Sequence, residues 1–208
     1  MARFAFIDVH NTDGTAHKLC GFSVDWSKLC GHLKKEWGCD KAFFYAGIEN
    51  GDDVTAKEFD SLSKLECSVV RTNTIQIYKK PNRMVNSQCS KCGENNVVIV
   101  DMGYEKKGNC DVDLTMDALE NASMGNEFYL FTGDGDFAPL VRKALDKGVG
   151  KVHIVSSSKS FMQAGLAIPN KRLAKKLKDL FLEFPTQVDL IDIDSLKFKI
   201  KRDAVLTT

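Results

Sequence analysis

Apolar runs of strand length alternate with segments whose apolar residues recur at helical spacing, almost from the first residue. Arg3–Val9 (RFAFIDV) is a short apolar run ending around a carboxylate, the pattern of a buried parallel strand. Trp26, Leu29, Cys30, Leu33 and Trp37 then fall on one face of a helix. Lys41–Ile48 (KAFFYAGI) predicts a second strand, closed by the turn-forming Glu49-Asn50-Gly51-Asp52. A helix is expected over about 55–65 and a third strand over about 68–78. From 79 to 96 the rhythm breaks, with Pro81, asparagine-containing turns and the pair Cys89/Cys92. The apolar run NVVIVDM follows, and it is expected to face TIQIYKK across a hairpin-like insertion. Alternation resumes with a helix over 111–122, a strand over 127–132, a helix over 137–147 and a strand over 151–156. A basic helix over 170–184 and an edge strand within 188–200 complete the pattern.

This order predicts a three-layer α/β/α domain with a mostly parallel central sheet. Such sheets bind ligands beyond the carboxyl ends of their strands, where the strand order reverses. The chain has 208 residues, 43% hydrophobic and 27% charged, enough for one domain with a full core. We therefore expect one domain over 1–208, carrying an inserted lobe at about 79–96 and a basic helix plus edge strand at about 170–200. A net charge of +1 excludes a polycation, so any attraction for nucleic acid must come from a local patch. The N-terminal apolar run is too short and too quickly acidic for a signal peptide or membrane span. Seven cysteines without an export signal point to reduced thiols or a metal site in the cytoplasm.

The chemistry-bearing residues sit at strand ends. Asp8 closes the first strand, with Asn11 three residues on; Asp134 and Asp136 lie just past FYLFT in the turn Thr132-Gly133-Asp134-Gly135-Asp136. If these strands are neighbours, their carboxylates share one crevice and repel unless a cation sits between them. All-oxygen ligands suit Mg²⁺ or Mn²⁺. Glycines at 133 and 135 are expected to allow a tight turn. Helix capping is the plainer role for Asp134 and Asp136, but it leaves a second strand ending in aspartate unexplained. In KKGNCDVDLTMDAL, Asp111, Asp113 and Asp117 open a helix, where acidic residues ordinarily serve the helix dipole.

FIDVHN, KG-x-x-DVDLTMD and TGDGDFAPLVRKALDKGV together resemble the NYN domain of the PIN-like nuclease superfamily, in particular its LabA-like branch. The motifs run in order from Asp8 to Leu140, and the last is the most specific. The resemblance implies a PIN-like fold and a Mg²⁺- or Mn²⁺-dependent ribonuclease. Asp8, Asp111, Asp134 and Asp136 would form its metal-binding acidic site, supported by Asn11, Thr132 and Asp117. Three departures stand out. Val9 replaces the usual glycine, two residues (Asn109 and Cys110) separate Gly108 from Asp111 where one is usual, and the Cys89/Cys92 insertion is extra.

Cys89-Ser-Lys-Cys92-Gly has zinc-knuckle spacing, but Zn²⁺ needs four ligands. Cys67 and Cys110 flank the insertion and would complete a site if the hairpin folds back; otherwise the pair is a reduced turn. Lys171, Arg172, Lys175 and Lys176 on the basic helix, with Lys106 and Lys107, would hold an RNA backbone, expected to be single-stranded, if they border the acids. Otherwise they form an ordinary solvated face. A homo-oligomer is admissible, and no membrane partner is expected. One rival is a catalytically silent regulator binding RNA or protein on the same fold. Another is a haloacid-dehalogenase-type phosphatase, which would need an acid where His10 stands.

Overall fold

The computed structural model describes residues 1–108, 110–163, 166–168 and 172–203. β1 (Arg3–Asp8), α1 (Val9–Cys20), α2 (Trp26–Lys35), β2 (Lys41–Ile48), α3 (Asp53–Ser63) and β3 (Ser68–Thr74) come first. Four short strands follow: β4 (Gln76–Lys79), β5 (Arg83–Gln88), β6 (Asn95–Val100) and β7 (Tyr104–Lys107). Then come α4 (Asp111–Glu120), β8 (Glu127–Phe131), α5 (Ala138–Asp146) and β9 (Lys151–Ser156). Two short strands, β10 (Phe161–Gln163) and β11 (Leu166–Ile168), precede α6 (Lys175–Glu183), β12 (Val188–Asp192) and α7 (Lys197–Ile200).

Six strands form one sheet in the order β12-β9-β8-β1-β2-β3, and every pairing in it is parallel. The chain builds β1, β2 and β3 outward in one direction, then β8, β9 and β12 in the other. The order therefore reverses between β1 and β8, which are hydrogen-bonded neighbours. Side chains alternate across this sheet. Ala5 and Ile7 of β1 face a core built with α1, α2, α3 and α7, whereas Phe4 and Phe6 face one built with α4, α5 and α6. Phe6 stacks on Phe43 at 5.2 Å and meets Phe128 edge-on at 5.0 Å, which holds the three central strands in register. Each such buried ring stabilises the fold by about 2–3 kcal/mol. Asp8, two residues beyond Phe6, emerges on the α4 side by the same alternation.

Several elements differ from the pattern-based expectation. α1 shows no apolar stripe in sequence, because its buried face includes Thr12 and Thr15 beside Val9, Ala16 and Cys20. Thr12 Oγ1 instead donates to the Phe131 carbonyl at 3.0 Å. Caps mark its ends: Asp8 accepts from the Asn11 N–H, and Gly21 takes the left-handed conformation with φ 67°. The expected strand over 68–78 breaks at Ile75. TIQIYKK does not face NVVIVDM; β4 pairs with β7, and β5 pairs with β6. The shorter loop wins, because β5 and β6 need only the Cys89–Glu94 turn to meet. The tail pairs at the sheet edge only through β12. Asp192 then caps a 3₁₀ turn, accepting from the Asp194 N–H at 3.0 Å, and Ile193, Leu196 and Ile200 are buried at helical spacing. The basic helix begins at Lys175; residues 170 and 171 lie outside the described part.

Every residue of β5 and β6 is exposed, and Lys80 N–H donates to the Gly103 carbonyl at 2.9 Å at the base of the lobe. Replacing 80–103 with Asn-Gly should therefore leave one cooperative thermal transition within about 5 °C of the parent. Loss of cooperativity would show instead that the sheet depends on the lobe.

Candidate metal centre

The C-terminal ends of β1 and β8 are joined by one hydroxyl. Thr132 Oγ1 donates to Asp8 Oδ2 at 3.3 Å and accepts the Asp134 N–H at 3.1 Å. Asp8 Oδ1 accepts the Asn11 N–H at 3.1 Å, while Asn11 Oδ1 accepts the Gly133 N–H at 2.9 Å. Asp134 Oδ1 accepts the Asp136 N–H at 2.9 Å and so caps the 3₁₀ turn Gly135–Phe137 that leads into α5. The capping role expected of Asp134 is therefore real, and Asp8 has one as well. Each such cap occupies a single carboxylate oxygen.

The electrostatics bring Asp111 into the same group. Burial raises Asp8 to about 6, opposed by the Asn11 N–H and reinforced by the charge of Asp111. Asp111 is itself raised, first by burial and then by the charges of Asp134 and Asp136. Among the described residues, however, no three His, Cys, Asp or Glu side chains form a ready-made metal cage. The four carboxylates share one field without closing on a point. Their all-oxygen chemistry and mutual repulsion fit a hard divalent cation.

Gly133 and Gly135 serve close approach, since neither takes a positive φ. A Cβ on Gly133 would stand 1.7 Å from the Arg172 carbonyl oxygen, and one on Gly135 would stand 2.9 Å from Ala174 Cβ. The Ala174 N–H donates to the Gly133 carbonyl at 2.9 Å, so the chain entering α6 crosses directly over the acidic turn. Lys176 Nζ then reaches Asp136 at 3.2 Å. The basic helix thus borders the acids through Lys176, with Lys175 exposed beside it. Lys171 and the side chains of Lys106 and Lys107 lie outside the described residues.

Asp117 is held elsewhere. It accepts from Tyr45 Oη at 2.9 Å and pairs with Arg71 at 3.2 Å, bracing α4 against β2 and β3. Asp113 accepts from Asn73 at 3.1 Å, again toward β3. Asp111 is the residue of this helix that senses the charges of Asp134 and Asp136. His10 Nε2 pairs with the Gly47 carbonyl at 2.9 Å, away from the role a phosphatase would need there. Sequence reasoning missed Ser156, at the end of β9. It is buried, its Oγ has no partner among the described residues, and it lies 2.9 Å from the Cβ position of Gly133. Nothing in the run KVHIVSSS marks it out, because its proximity comes from the β8–β9 pairing.

The cysteines separate. Cys67 is buried with its Sγ 3.1 Å from that of Cys30, and Cys110 is buried in the core under α4. Neither completes a site with Cys89 and Cys92, because both are packed into apolar cores, on opposite faces of the sheet, while the lobe projects outward. Backbone N–H groups of Cys92 and Lys91 hold the Cys89 thiol below its usual range.

The model of the NYN domain family matches residues 4–167. The fold is similar to the crystal structure of a protein of unknown function, VPA0982, from Vibrio parahaemolyticus. The TM-score is 0.56 at 20% identity, over 93% of this chain and 94% of that one. Phosphofructokinase-2 from Escherichia coli aligns over 64% of this chain and 40% of its own, with 18% identity and a TM-score of 0.34. No curated protein sequence gives a significant match.

The raised Asp8 carboxyl has a measurable consequence. A carboxyl raised above its unfolded value favours the fold while protonated, and that stability is lost as pH rises from about 4 to about 6. Asp8→Asn keeps an N-cap and removes the charge. Without divalent metal, it should raise stability by on the order of 2 kcal/mol at about pH 8, with the gain vanishing near pH 4. Thermal melts across that range check this, and a pH-independent difference would contradict it.

Proposed function

The chain belongs to the NYN domain family, and on that premise we propose that it is a Mg²⁺- or Mn²⁺-dependent ribonuclease of that family's LabA-like branch, acting on single-stranded RNA. The observation that carries this reading is the shared field of Asp8, Asp111, Asp134 and Asp136 at the reversal point between β1 and β8. A bound cation would offset charge on the scissile phosphate and lower the pKa of a water, which supplies the nucleophile. Asp8 and Asp134 would be its main ligands, with Asp136 and Asp111 closing on it. Thr132 and Asn11 orient those carboxylates and hold the two strand ends together. Lys176 and Lys175 would draw the phosphodiester backbone toward the acids, with the pair to Asp136 exchanged for one to phosphate. Asp117 supports the site only at a distance, by fixing α4.

We read the whole chain as one domain, since the family match passes through the lobe and on to β11. We place it in the cytoplasm. Cys30 and Cys67 are held as a buried thiol pair, and among the described residues no helix is long and apolar enough to cross a membrane. The lack of a ready-made cage among the described residues favours one competing reading, a catalytically silent regulator that binds RNA or protein.

Incubation with labelled single-stranded RNA separates the two. We expect cleavage with Mn²⁺, none with chelator, and at least about a hundredfold loss of rate in Asp134→Asn and in Asp111→Asn. Lys176→Glu should weaken RNA binding several-fold and flatten its salt dependence, by roughly one phosphate contact. RNA left intact in Mn²⁺, with binding insensitive to Asp134→Asn, would establish the silent regulator instead.

A further inference from the structure

The β5–β6 lobe takes no part in the acidic site, yet it carries exposed apolar residues along both of its strands. On one face of the ribbon lie Met84, Val97 and Ile99, at 73%, 63% and 62% exposure, with Asn86 opposite Val97 and the pair Gln88 and Asn95 beyond them toward the tip. Val85, Val98 and Val100 occupy the other face. A two-stranded ribbon with apolar residues on both faces is marginal in water and needs a covering partner. The paired residues on Met84's face carry no charge, and the turn beyond them holds one residue of each sign, Lys91 and Glu94, so the face suits a self-complementary contact and offers little to a phosphate backbone.

The tip adds a separate observation. Gly93, in the left-handed conformation with φ 75°, turns the chain after Cys92. Gly93 N–H donates to the Cys89 carbonyl at 2.9 Å, and Cys89 N–H donates to the Glu94 carbonyl at 2.9 Å. Two thiols, Cys89 half-buried and Cys92 exposed, are thus presented on one knuckle, which is half of a tetrahedral thiolate site. The remaining cysteines, Cys20, Cys30, Cys39, Cys67 and Cys110, are all buried in the core.

We propose that Cys89 and Cys92 bind one Zn²⁺ together with the same two residues of a second copy of this chain, the apolar faces of the two β5–β6 ribbons packing beside the metal. A two-fold axis through the ion gives four sulfur ligands from two identical pairs and makes the contact isologous. Each thiol gives up its proton as its sulfur bonds to the metal, so four protons leave per ion bound.

The test uses the full chain under reductant. Metal analysis by inductively coupled plasma mass spectrometry is combined with light-scattering mass measurement before and after chelation and on readdition of Zn²⁺. We expect one zinc per two chains and twice the single-chain mass, reverting to the single-chain mass on chelation. Cobalt substitution should give the absorption of a tetrahedral tetrathiolate centre. Cys89→Ser and Cys92→Ser should each lose the metal and the dimer. Val97→Glu with Ile99→Glu should weaken dimerisation by at least tenfold in Kd, with the CxxC turn intact. One zinc per chain in a monomer would overturn the proposal, as would a dimer that keeps its mass in the Cys89→Ser variant. A chain that stays monomeric with excess Zn²⁺ would equally overturn it, and would leave the ribbon to a different partner.

Discussion

Everything at the candidate centre depends on holding like charges together at one opening. Asp8 is half-buried at the end of β1, where the strand order reverses, and its carboxyl is pushed up to about 6. A carboxylate in that position costs stability unless hydrogen bonds or a cation offset the burial. The Asn11 N–H and the Thr132 hydroxyl supply part of that compensation, and both also set local geometry. The same two contacts start α1 and join β1 to β8. The site is therefore also the way this sheet closes its central seam.

The second half of the arrangement is the strap over the acidic turn. Arg172–Ala174 lies so close to Gly133 and Gly135 that neither position tolerates a side chain without displacing backbone or α6. This contact fixes where α6 begins and brings Lys176 to Asp136. An acidic floor with a basic wall follows from one backbone crossing. The wall can attract a polyanion that the floor alone would repel. Asp117 belongs to neither part; its bonds to Tyr45 and Arg71 fix α4, from which Asp111 projects.

Much of this was legible in the sequence. The alternation of strand and helix patterns gives the three layers, and the aspartates after FIDV and FYLFT mark the two strands that turn out to be neighbours. Those signals survive because parallel strands buried on both faces are continuous apolar runs. α1 was hidden because it buries threonines, which read as polar. Gly133 and Gly135 suggested a turn conformation, whereas their role is close packing against a segment nearly forty residues away, which no local pattern encodes. Asp117 shares its helix with Asp111 and matches the family motif, but an ion pair with Arg71, itself set by the β2–β3 register, claims it. The pairing of β5 with β6 was misread because RMVNSQ looks less like a strand than TIQIYKK does. Loop length, not strand composition, decided the partner.

The account stands on a divalent cation bound where Asp8 must give up a proton. Calorimetric titration with Mn²⁺ at about pH 5.5, in two buffers of different ionisation enthalpy, measures the ion bound and the protons released together. The account predicts binding with close to one proton released near pH 5.5 and almost none at about pH 8, and loss of that binding in Asp134→Asn. Binding that releases no proton at the lower pH, or that Asp134→Asn leaves unchanged, would place the metal elsewhere and contradict the account.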